Sequence, residues 1–123
     1  MKWLNRELIS CPFYVGLIQS ENEFDKFLKK YKIDHFDWIT NHAGATTHFL
    51  DNGSEEMVII CINKKDFKNY NKNKIYALLV HEAVHIYEYT KKWLGNDIGE
   101  EIKCYIIQSI SLELFSKIKI NKK

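Results

Sequence analysis

Residues Leu78 to Tyr89 read LLVHEAVHIYEY, and they set His81, Glu82 and His85 into a run that is otherwise almost wholly apolar. The surrounding segment predicts one long helix, opened by an N-cap at Asn71 or Asn73 and closed near Leu94 by Gly95. Leu78, Leu79, Val80, Ala83, Val84 and Ile86 make that helix apolar nearly all the way round, the mark of a central element. Unpaired imidazoles buried in it would be costly, whereas a metal ion would satisfy them.

On a helix, positions i and i+4 lie about 40° apart and one turn along, so His81 and His85 share a face and can hold one ion between them. Glu82 projects about 100° round from His81, beside the pair. Zinc held by protein ligands with one open position makes water nucleophilic near neutral pH, and a nearby carboxylate takes the proton. The spacing is that of the HExxH zinc helix of metallopeptidases, with His81 and His85 as ligands and Glu82 as general base. The alternative of a di-iron carboxylate bundle needs a second Glu-x-x-His, and the sequence holds none.

A catalytic zinc site needs a third protein ligand. The extended motif HExxHxxGxxH would require Gly at 88 and His at 91, where this chain has Glu88 and Lys91, which excludes the metzincin arrangement. A carboxylate from the next helix remains, and Asp97, Glu100 and Glu101 are the candidates. Helix phase prefers Glu101, because Cys104, Tyr105 and Gln108 continue its side and Cys104 is small enough for close approach; Glu100 is the runner-up, with a capping role as its other reading.

Outward from the helix, SENEFDKFLKKYKI opens with a capping box, Ser20 and Glu23, and carries Phe24, Phe27, Leu28 and Tyr31 at helical spacing, predicting a helix from about Glu21 to Lys32. TTHFLDNGSEEMVIICI predicts a hairpin turning at Asp51-Asn52-Gly53. Its first strand alternates, with Thr46, His48 and Leu50 on one face and Thr47 and Phe49 on the other. Its second, Met57 to Ile62, is continuously apolar, as expected of a strand covered on both sides. Tyr14 to Ile18 adds a candidate strand. Asp97 and Glu100 suggest a cap for a last helix ending near Lys117.

In zincins an edge strand borders the cleft, so His48 is a candidate to face the site and support the oxyanion, with a partly exposed strand histidine as its plain structural reading. Tyr105, one turn after Glu101, is a second candidate for that role, against a core tyrosine.

With 123 residues the chain makes one α+β domain over 1–123, a small antiparallel-containing sheet packed on the HExxH helix and the glutamate-bearing helix after it. A net charge of +2, with all but one of the basic residues lysines and scattered, argues against nucleic acid as a partner. No apolar run approaches the ~20 residues of a membrane span, and Asn5, Arg6 and Glu7 fall where a signal peptide would be apolar. Cys11, Cys61 and Cys104 are odd in number and form no CxxC, so a cytoplasmic setting with free thiols is expected.

The run PFYVGL, ATTHFL, IICI, LLVHEAVHIYEY and IGEEIKCYIIQSIS resembles small HExxH proteins encoded by tailed bacteriophages and prophages, a zincin-like metallopeptidase family. The resemblance spans roughly Pro12 to Leu114. It implies a compact zincin-like fold, zinc on His81, His85 and Glu101, and Glu82 as base. Cys104 stands where the family's Glu-x-x-small pattern leads one to expect alanine. The function so implied is a zinc-dependent peptidase acting on a phage structural protein or a host protein in the bacterial cytoplasm. The alternative is a non-catalytic, zinc-stabilised interaction or structural phage protein, favoured by the small size of the chain.

Overall fold

The computed structural model describes residues 1–4, 13–39, 44–53, 56–94 and 99–118, for 92–94 the backbone alone. The elements are β1 (Lys2–Trp3), β2 (Tyr14–Ile18), α1 (Glu21–Lys30), β3 (Ala45–Asp51), β4 (Glu56–Ile62), a 3₁₀-helix (Lys64–Asn69), α2 (Lys72–Leu94) and α3 (Glu100–Lys117). They give the mixed α+β architecture expected of the sequence, with a four-stranded sheet in the order β1-β2-β4-β3.

Local chemistry accounts for the boundaries. Ser20 caps α1, its hydroxyl accepting from the Glu23 amide at 3.2 Å, while the Glu23 carboxylate reaches back to the Gln19 amide and to the terminal ammonium of Met1. The helix stops at Lys30 rather than Lys32, where Lys32 takes a positive φ of 57°. Asn71 is the cap of α2, accepting from the Lys74 amide at 2.8 Å. The proposed caps Gly95 and Asp97 lie outside the described residues, and α3 begins at Glu100 with Gly99 as its N-cap residue and no side-chain cap.

The sheet is mixed. β3 runs antiparallel to β4 with Thr47 opposite Ile60 and Asp51 opposite Glu56, and β2 runs parallel to β4 with Gly16 opposite Ile59. The reversal leaves Asp51 with its carboxylate on the Gly53 amide at 2.8 Å and Gly53 at φ 90°, a conformation only glycine adopts freely. β4 is central and buried along Met57 to Ile62, which explains its unbroken apolar run. One face, through Met57, Ile59 and Cys61, packs on Phe24, Phe27 and Leu28 of α1. The other, through Val58, Ile60 and Ile62, packs on Ile75, Leu79, Ala83 and Ile86 of α2, behind which Ile106, Ile110 and Leu114 of α3 complete the core. Among the described residues no helix is long and apolar enough to cross a membrane.

Candidate metal and hydrolase site

α2 buries the stripe Ile75, Leu79, Ala83 and Ile86, which places Glu82 against the sheet and leaves His81 and His85 exposed beside it. The sequence led us to expect buried imidazoles; the buried polar group is instead the carboxylate, at 2 % exposure. Its partner is Thr47, whose Oγ1 donates to Glu82 Oε2 at 2.5 Å. That bond supplies a donor for a carboxylate taken out of water.

The two imidazoles converge, with His81 Nε2 and His85 Nε2 3.2 Å apart. Two nitrogens bound at about 2.0–2.1 Å to a tetrahedral zinc ion would be about 3.3–3.4 Å apart, so the pair is spaced as two ligands of one ion. The donor set therefore fits the edge of a zinc site. Among the described residues no group of three His, Cys, Asp or Glu side chains is assembled to hold a metal.

The third ligand expected from α3 is not assembled with the pair among the described residues. α3 faces the core with Ile106, Ile110, Ser111 and Leu114, and Glu101 and Tyr105 are exposed, with Tyr105 beside Ile102 and Leu112 on a separate groove of α3. Glu100 is exposed as well, and Asp97 lies outside the described residues. The phase expected for α3, with Cys104 towards α2, is not the one observed: Cys104 is exposed.

His48 is also not brought to the site. β3 turns Ala45, Thr47 and Phe49 towards α2, with Phe49 stacked on Tyr89 at 4.6 Å, and His48 faces the α1 layer instead. There it lies against Phe24 and Phe36, and its Nε2, which must carry the hydrogen, donates to the Trp38 carbonyl at 2.7 Å. Thr47 is the site residue that sequence reasoning passed over. The signal was present in the strand alternation, which set Thr47 and Phe49 on the face opposite His48.

A cleft of about 540 Å³ opens beside His81 and Glu82. Ala77 and Leu78 of α2, Gly44 and Ala45 at the start of β3, and Tyr70 and Lys74 also line it. Leu78 closes so near to Gly44 that a side-chain carbon added there would meet it at 3.3 Å. Behind the sheet, burial first and the charge of Glu82 second push the Cys61 thiol far above its usual range, so it stays un-ionised. Comparison with family models, with curated proteins and with solved structures finds no match to this chain.

Proposed function

We propose that this chain is a zinc-dependent peptidase of the zincin-like phage class, acting on a phage or host protein in the bacterial cytoplasm. The observation that carries the reading is the 3.2 Å approach of His81 Nε2 and His85 Nε2 on a helix whose intervening Glu82 lines a cleft together with His81. His81 and His85 would hold zinc there, and the ion would supply the Lewis acidity that polarises a peptide carbonyl and makes water nucleophilic near neutral pH. Glu82 takes the proton of the attacking water and later delivers it to the leaving amine. Thr47 occupies Oε2, which orients the carboxylate and leaves Oε1 for that proton. β3 is an edge strand alongside α2, so its outer edge can align an extended peptide by main-chain hydrogen bonds.

His81 and His85 are the proposed ligands with geometric support, and Glu101 is proposed as the third from the resemblance alone. The test compares wild type with Glu82→Gln. The amide oxygen of Gln still accepts from Thr47, so fold and zinc content should hold while cleavage of a peptide library falls about 10²–10⁴-fold. Equal turnover in both proteins would remove Glu82 as base and favour the non-catalytic zinc-stabilised alternative.

A further inference from the structure

Lys74, Leu78, His81 and His85 follow one another at helical steps of four, three and four, so they form a single row along α2. The cleft beside His81 and Glu82 runs up this row and reaches Lys74 and Tyr70. Lys74 is exposed at the mouth of the cleft, and its Nζ lies 4.1 Å from the centre of the Tyr70 ring. Among the described residues lining the cleft, it is the one group with a permanent positive charge, and the first turn of α2 carries no acidic residue to offset it.

Given the peptidase reading above, on which this rests, we infer that Lys74 and Tyr70 form a substrate subsite for a carboxylate, an acidic side chain or a peptide C-terminus, set apart from the scissile bond. The distance follows from helix geometry. Lys74 and His81 are seven residues apart, about 10.5 Å of helix rise, and an extended peptide covers that in about three residues. A substrate acid about three residues from the scissile bond would meet Lys74. The cleft thus sets both the sign of the recognised group and its spacing from the bond cut.

The experiment separates the subsite from the chemistry. A randomised peptide library with acetylated N-termini is offered in two forms, C-terminal amide and C-terminal acid. It is selected for binding on Glu82→Gln protein loaded with zinc, and separately digested by zinc-loaded wild type. Asp and Glu should be enriched about three- to tenfold at one position in the bound pool, more at low salt. Enrichment in the amide form identifies a side chain, and enrichment confined to the acid form identifies the C-terminus. Adding Lys74→Gln should erase the preference, and Lys74→Glu, which sits comfortably near a helix start, should reverse it to Lys and Arg. No acidic enrichment, or enrichment indifferent to Lys74, overturns the inference. Lys74-dependent binding with no cleavage by wild type keeps the subsite and removes the peptidase reading.

Discussion

Thr47 Oγ1 donates to Glu82 Oε2 at 2.5 Å across 35 positions of sequence, tying the edge strand β3 to the centre of the HEAVH helix. That bond gives one oxygen of the buried carboxylate its donor and links strand to helix beside the cleft.

Removing that donor should therefore cost stability as well as activity. Thr47→Val keeps shape and strand propensity but leaves a buried carboxylate oxygen unpartnered, at a cost of about 1–3 kcal/mol. Thr47→Ser should restore most of it. Chemical denaturation of the two variants checks the assignment, and a wild-type midpoint for Thr47→Val would show that the bond contributes nothing.

Zinc should raise the melting temperature, because an ion that binds only the folded chain stabilises it by mass action, about 2.7 kcal/mol at a hundredfold excess over Kd. His81→Ala and His85→Ala should each abolish the shift. Glu101→Ala should weaken zinc at least tenfold if the carboxylate joins the pair when the ion is bound. Zinc titration followed by calorimetry decides, and unchanged affinity in Glu101→Ala would leave a clamp of two histidines.

His48 belongs to the α1 layer, so its removal should read as a packing defect. His48→Ala empties the space against Phe24 and Phe36 and frees the Trp38 carbonyl, costing about 1–3 kcal/mol. Below its lowered melting temperature, kcat should stay within about twofold of wild type. A hundredfold fall in kcat in folded protein would return His48 to the catalytic machinery.

Cys61 and Cys104 should separate by reactivity and by pH. Cys104 is exposed and should react with a thiol reagent in the native protein; Cys61 should react only after unfolding. Burial, with the Glu82 charge behind it, raises Cys61 above the usual 9.0. Its contribution to stability is then complete below about pH 9 and declines above it, since the unfolded chain releases the proton first. Cys61→Ala should flatten that alkaline decline in urea midpoints measured from pH 8 to 10.5.

Some of this was legible in the chain because it is local. The four-residue spacing puts His81 and His85 on one face of any helix that forms, whatever it packs against. Ser20 with Glu23 marks the start of α1, and Asp51 with Gly53 marks the reversal, for the same reason: the partners are a few residues away. The unbroken apolar run of β4 likewise announces a strand covered on both sides.

Facing was decided only by tertiary packing. Alternation separates His48 from Thr47 on β3, but which set meets α2 depends on the layer that each face of the sheet acquires. On α2 the stripe Ile75, Leu79, Ala83 and Ile86 outcompeted the other apolar faces for the sheet, which turned Glu82 inward and the histidines outward. α3 is apolar on opposite sides, with Ile106, Ile110 and Leu114 inside and Ile102, Tyr105 and Leu112 exposed. Its rotation was nearly degenerate in the sequence, and the orientation adopted leaves Glu101 and Tyr105 exposed. Long-range packing energies, summed over whole faces, made those choices, and periodicity within one element carries no record of them.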